Sequence, residues 1–278
     1  MYEELCLSIK PSTPAASVKR TDAQMWSDVG VEWMTHGRDR IWRSYSDQLT
    51  RDFVAGWLKN YNSAILKTDL FDEAVSAGIF TTLKDRADIV HGIDVAEQIV
   101  TGVAKKYPKL VSRVADVRSL PYEAGTFDAV VSTSTLDHFE DSGEINRALC
   151  EIRRVMRTGG RLIVTLDNPL NPKLALRALL PEKLLQKTNV VPYHCGVTLS
   201  RDAFVEAVAA ANFEVIDTRA FLHCPRASAV KLAVLVDKFM SERGERAFLR
   251  GLRWFESLER FPSRWRTGHF SAILAQAV

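Results

Sequence analysis

The chain has 278 residues, of which 46% are hydrophobic and 26% charged, with a formal net charge of +3. That length and apolar content suffice for one α/β core with its sheet buried on both faces, and so small a charge gives no argument for a nucleic-acid partner. No apolar run reaches the length of about 18 residues that spans a bilayer, and the opening MYEELCLSIKPSTPAASVKR lacks a secretory leader's apolar stretch. The expectation is a cytoplasmic protein without a membrane partner.

Residues 1–20 hold Pro11 and Pro14 among small polar residues without periodicity, which reads as a mobile arm. In 21–60, Met25, Trp26, Val29, Trp33, Ile41, Trp42, Tyr45, Leu49, Phe53 and Trp57 recur at helical spacing and predict two or three helices, forming a helical lid. From Ser63 short apolar runs alternate with longer amphipathic ones. AILKTDLF, DIVHGIDV, SRVADV, FDAVVSTST and RLIVTLD are the expected strands, and EINRALCEIRRVMRTGG is an expected helix stopped at Gly159. Such alternation predicts parallel strands joined by crossover helices, hence an α/β, doubly wound sheet.

Four prolines between 169 and 192 break a segment whose KLALRALL core remains helical, so 169–195 reads as a helical insertion. SRDAFVEAVAAANFEVIDTRAFL predicts a helix capped by Ser200 and then a strand, and GHFSAILAQA a last strand. Between them, 226–266 is a second insertion carrying ten Lys or Arg against five Asp or Glu. Its ERAFLRGLRWFESLERF is read as a packed amphipathic helix in preference to a membrane-surface or anion-binding element. The cysteines, Cys6, Cys150, Cys195 and Cys224, form no CxxC pair and read as ordinary thiols. His194-Cys195 and His223-Cys224 are adjacent residues, which on a strand point to opposite faces, so no metal site is expected.

The block VSRVADVRSLPYEAGTFDAVVSTSTLDHF followed by EINRALCEIRRVMRTGGRLIVTL resembles the class I S-adenosylmethionine-dependent methyltransferases. The resemblance spans about 63–222. It rests on an acidic end to the second strand, D-x-x-x-L-P after the third, F-D-x-V on the fourth and helix-Gly-Gly-strand, in that order. It implies a Rossmann-like fold for 61–278: a seven-stranded, mostly parallel sheet with an antiparallel last strand and helical lid insertions, S-adenosylmethionine as cofactor and a small-molecule methyl acceptor as substrate. Ligands of such sheets lie beyond the carboxyl ends of the strands.

On this reading Asp94 accepts from the ribose hydroxyls with Val95 against the adenine, the alternative being an acid that caps the next helix. Asp116 accepts from the adenine amino group while the Val117 amide donates to the ring, or Asp116 forms a turn. Ser132 and Thr133 face the methionine part or simply end a strand. The first loop departs from the family, because a glycine-rich segment is expected and Lys67-Thr68-Asp69-Leu70-Phe71-Asp72-Glu73-Ala74 holds no glycine. A left-handed residue other than glycine costs about 1–2 kcal/mol, so a different backbone path is expected. Thr68, Asp69, Leu70, Phe71 and Glu73 are assigned to the cofactor. The acids either attract its cationic centre or satisfy the next helix's dipole.

Methyl transfer from a sulfonium is an in-line displacement that positioning alone accelerates, and a base matters when the acceptor must lose a proton. His138 is the histidine best placed for that, against a local packing role, with His36 and His194 as weaker candidates. Trp42, Tyr45 and His194 are assigned to an acceptor pocket under the lids, core packing being the default for an aromatic stripe. An altered cofactor chemistry or a noncatalytic binding subunit are the rival readings.

Overall fold

The computed structural model describes residues 20–36, 39–58, 63–179 and 196–278. Two helices come first, α1 (Arg20–His36) and α2 (Arg40–Trp57). The α/β part then runs β1 (Ala64–Lys67), α3 (Phe71–Val75), α4 (Phe80–Lys84), β2 (Ile89–Asp94), α5 (Glu97–Lys106), β3 (Leu110–Val114), β4 (Phe127–Ser132), α6 (Ser142–Val155) and β5 (Met156–Asp167). After α7 (Pro172–Leu179) come α8 (Arg201–Ala210), β6 (Phe213–Phe221), α9 (Arg226–Phe239), α10 (Glu242–Phe255), α11 (Arg264–Thr267) and β7 (Phe270–Ala277).

The strands form one seven-stranded sheet in the order β3-β2-β1-β4-β5-β7-β6. β1 to β5 pair in parallel, and β7 inserts antiparallel between β5 and β6. The expected doubly wound sheet with an antiparallel last strand is therefore observed. Strand order reverses between β1 and β4, opening a crevice at their carboxyl ends.

Alternation along each strand makes two cores. Ile65, Val90, Ala129, Val131, Ile163, Ala272 and Leu274 point to the face covered by α2, α4, α5 and α9. Leu66, Ile93, Val130, Leu162, Val164, Ile273 and Ala275 point to the opposite face, under α6 and α8. α2 seats its aromatic stripe in the first core: Phe53 stacks on Phe221 with ring centroids 4.6 Å apart, and Trp57 Nε1 donates to Asp217 at 3.1 Å. Ser200 caps α8 as expected, its Oγ accepting from Ala203 N.

Three local expectations change. The first strand stops at Lys67, because the acids of LFDEA open α3 instead of extending the strand. The helix before the Gly-Gly pair ends at Val155, and β5 already begins at Met156, with Gly159 at φ +81 inside its first half. Cys150 is disulfide-bonded, contrary to the reading of four ordinary thiols, whereas Cys224 is a buried free thiol. Among the described residues no helix is long and apolar enough to cross a membrane. The arm at 1–19 and most of the first insertion, 180–195 with His194, lie outside the described residues, as does the side chain of His36.

Candidate active site

The ends of β1, β2 and β3 and the turn after β4 surround a cleft with about 790 Å³ of space, part of it open to solvent. Thr68, Asp69, Phe71, Asp94, Val95, Asp116, Val117 and His138, all singled out from the sequence, line it together. Met25, Trp26, Ala115, Arg118, Thr135 and Phe139 complete the wall.

Asp94 closes β2, and its carboxylate ties two loops together. Oδ2 accepts from Leu70 N at 3.1 Å and Oδ1 from Ala96 N at 2.9 Å. Burial pushes this carboxyl up to about 6, against the lowering effect of those two amides and of Lys67. Both oxygens retain further acceptor sites toward the cleft. Asp116 follows β3 and is clamped by Arg118, whose Nη2 lies 2.6 Å from Oδ2 and whose backbone N–H donates to Oδ1 at 2.8 Å. Arg118 also pairs with Glu144 and lies over the Phe139 ring, 4.8 Å from its centroid.

The first loop is built on charge. Lys67 Nζ is buried, donates to the Asp69 carbonyl and sits 2.9 Å from Oε2 of the fully buried Glu73, whose Oε1 accepts from Ile79 N at 2.8 Å. Burial opposes the Lys67 charge, but Glu73, Asp69 and Asp72 outweigh it and hold the ammonium above its usual range. Asp69 Oδ1 caps the Phe71 amide at 3.1 Å. Burial, opposed by Lys67 and reinforced by Asp94, Asp72 and Glu73, raises the Asp69 carboxyl well above the carboxylate range. No residue from 67 to 74 has positive φ, so the chain avoids the strain that a glycine-loop path would impose. The positive φ is deferred to Gly78 at +57°, where an added Cβ would lie 2.4 Å from Glu73 Oε1.

The far wall follows β4. Thr68 Oγ1 donates to Ser132 Oγ at 2.9 Å and lies 3.1 Å from Thr135 Oγ1. Ser134, left-handed at φ 53, donates its N–H to Thr165 Oγ1 and leads into the short 3-10 turn Leu136–His138. From α1, Trp26 meets His138 edge-on at 4.7 Å and Phe71 at 6.0 Å. Arg43 of α2 locks this corner, its guanidinium 4.3 Å from the Trp33 ring centroid and 3.0 Å from Asp72.

Six of the sequence assignments fall elsewhere. Glu73 turns under its loop to pair with Lys67, and the Leu70 side chain fills the space above Gly92, leaving only its amide at Asp94. Ser132 is buried against Thr68, and Thr133 does not line the cleft. Trp42 and Tyr45 belong to the core on the α9 and α10 side, where Tyr45 Oη donates to Glu256 Oε1 at 2.8 Å. A helical aromatic stripe buries its rings before it lines a pocket. Trp26 and Arg118 were missed: the first belongs to that same stripe, and the second was legible only as the arginine two residues after Asp116.

Residues 55–164 match the family model described as a methyltransferase domain. The chain is 28% identical over 141 residues to a probable S-adenosylmethionine-dependent methyltransferase of Mycolicibacterium smegmatis, covering 51% of this chain and 49% of that protein. It thus spans about half the length of that curated relative. Among solved structures, the geranyl diphosphate C-methyltransferase of Streptomyces coelicolor superposes with a TM-score of 0.54 at 16% identity, covering 82% of this chain and 78% of that one. A putative methyltransferase of Haloferax volcanii in complex with the Trm112 activator gives 0.55 at 15% identity, covering 88% and 96%. At such identities these two likenesses show the fold. The matched domain, the mycobacterial relative and the β3-β2-β1-β4-β5-β7-β6 sheet together support a class I S-adenosylmethionine-dependent methyltransferase.

The cleft's chemistry fits that family's cofactor. S-adenosylmethionine presents hydrogen-bond donors at its ribose, adenine amine and α-ammonium and a positive sulfur, and the cleft presents the acceptors Asp94, Asp116 and Asp69 between Val95, Val117, Phe71 and Trp26. The amides of Leu70 and Phe71 are already occupied by Asp94 and Asp69, and the loop lines the cleft with the Asp69 carboxyl and the Phe71 ring.

Proposed function

We propose that this chain is an S-adenosylmethionine-dependent methyltransferase that acts on a small organic molecule. The observation that carries the reading is the convergence of Asp94 and Asp116, from the ends of adjacent parallel strands, on one cleft roofed by Trp26 of α1. When bound, the cofactor supplies an electrophilic methyl group on a cationic sulfur. Asp94 holds the ribose hydroxyls, Asp116 and the Val117 amide the adenine, and Asp69 the cationic amino-acid end, whose positive charge draws the raised Asp69 carboxyl back toward its ionised form.

Phe71, Trp26 and Phe139 exclude water from the reacting centre, which strengthens each of these charge interactions. His138 faces the same space and accepts the acceptor's proton when the nucleophile is a hydroxyl or protonated amine. The enclosure favours a small acceptor. The Streptomyces coelicolor relative was captured with geranyl diphosphate, a molecule of that size class.

Titration calorimetry with S-adenosylmethionine tests the cofactor reading. Binding by the folded protein is expected, and Asp94→Asn should weaken it roughly 10- to 100-fold, because a charged acceptor loses its hydroxyl donors. Absence of binding by the folded wild type would sink the proposal. Replacing His138 by Gln should lower turnover while leaving cofactor affinity unchanged; a parallel fall in affinity would reassign His138 to packing against Trp26.

A further inference from the structure

The first helix of the α9–α10 pair is built inside out. α9 buries Ala229, Ala233 and Val236 against the body of the protein and turns its larger residues to solvent. Leu235 is 52% exposed, Phe239 71%, and Leu232, Val234 and Met240 about half. A helix whose only role is to cover a core places its large residues inward. On α9 the residues Lys231, Leu232, Leu235, Lys238 and Phe239 recur at i, i+1, i+4, i+7 and i+8, so two lysines stand among the exposed apolar side chains.

α10 packs in the ordinary amphipathic way. It buries Leu252 with Phe248, Leu249 and Phe255 against the core, and Arg243, Arg246, Arg250 and Arg253 share its exposed side with Trp254, which is 68% exposed. Arg246 pairs with Glu242 and Arg253 with Asp52, both in the open, whereas Arg243 and Arg250 have no acidic partner among the described residues.

We propose that this surface docks on a lipid bilayer containing anionic headgroups. Exposed Leu and Phe beside Lys and Arg, with an exposed Trp on the neighbouring helix, is the composition that lies in the headgroup region, the apolar side chains entering and the cations meeting phosphate. Charge selects this occupant over a second copy of the chain. A two-fold interface would set the lysines and arginines against their own counterparts, whereas an anionic surface neutralises all of them. The ERAFLRGLRWF segment packs as an amphipathic helix, as expected, and the proposal concerns the face it leaves exposed. The proposal is independent of the methyltransferase reading.

Co-sedimentation of the full chain with vesicles tests it. Binding is expected to vesicles of phosphatidylcholine mixed with phosphatidylglycerol and not to phosphatidylcholine alone, and it should be released by high salt. Each cation near such a surface strengthens binding roughly fivefold, so R243S/R250S should partition roughly thirtyfold more weakly. L235S/F239S should lose about tenfold with an unchanged thermal transition, since both residues are solvent-exposed. Failure to bind the mixed vesicles, equal binding to both kinds, or a concentration-dependent dimer in light scattering that L235S/F239S abolishes would overturn the proposal.

Discussion

The loops that end β1 and β2 flank the same cleft and are built by opposite rules. The β2 end carries one buried carboxylate that lines the cleft and whose oxygens accept from the neighbouring amides of Leu70 and Ala96. The β1 end discards glycine and substitutes an internal ion pair, two side-chain caps and an aromatic ring. A fold can therefore retain the half of a site that depends on one side chain while rebuilding the half that depends on backbone conformation. The path of the loop changes with its residues, and side chains as well as glycines can dictate a path.

Removing one partner of the β1 brace is the hardest test of that contrast. Lys67→Met leaves Glu73 charged, buried and unpaired, and should cost about 3–5 kcal/mol in urea unfolding, with much of the loss recovered in Lys67→Met/Glu73→Met. A double variant as unstable as the single one would show that the pair does not hold the loop. Gly78→Ala attacks the same loop from its turn. With φ at +57° and Glu73 Oε1 in the way, it should lose about 1–2 kcal/mol or more by the same measurement, and no loss would mean that the turn relaxes freely.

The β2 end is better probed by pH. Asp94 ionises near 6, so cofactor affinity should rise by about tenfold per pH unit below that value and level off above it, with Asp94→Asn flattening the calorimetric profile. Stability moves the other way. Asp94 and Asp47, the buried α2 carboxyl that accepts from Gly78 N at 2.9 Å, are both pushed up by burial to about 6 when folded and titrate near 3.9 when unfolded, so the folded protein holds more protons between these values. Their contribution is fully present below the unfolded value and is lost as pH rises through 6, which urea melts across that window will register. The smallest effect is expected at the corner between the lids and the loop. Arg43→Lys keeps the charge beside Asp72 but loses the planar stack on Trp33, for about 0.5–1 kcal/mol.

Most of the fold was legible because periodicity reports burial. The apolar run FDAVVS fits a strand buried on both faces, and the helical spacing of Ile145, Leu149, Ile152 and Val155 puts one face of α6 on the sheet. Asp94 and Asp116 were legible for a related reason, since a strand's end is fixed by its apolar run and the next polar residue stands at the crevice. Tertiary competition hid the rest. Nothing local distinguishes Trp26, which roofs the cleft, from Trp42 in the same stripe, which packs into the core. Nor does the spelling KTDLFDEA reveal that Glu73 turns inward to Lys67, because the partner that neutralises a buried acid is chosen only when the chain closes.

The missing glycines also change the protein that has not yet folded. A residue with a Cβ has fewer backbone states open to it in the unfolded chain than glycine, worth about 0.4–1 kcal/mol at each position where the folded geometry tolerates the side chain. The stretch from 67 to 74 tolerates eight in a row, all at negative φ. This loop therefore begins from a narrower ensemble and has less disorder to surrender when the chain folds. That saving is written into the sequence before any cofactor is present, and heat should find the loop among the later parts of the cleft to melt.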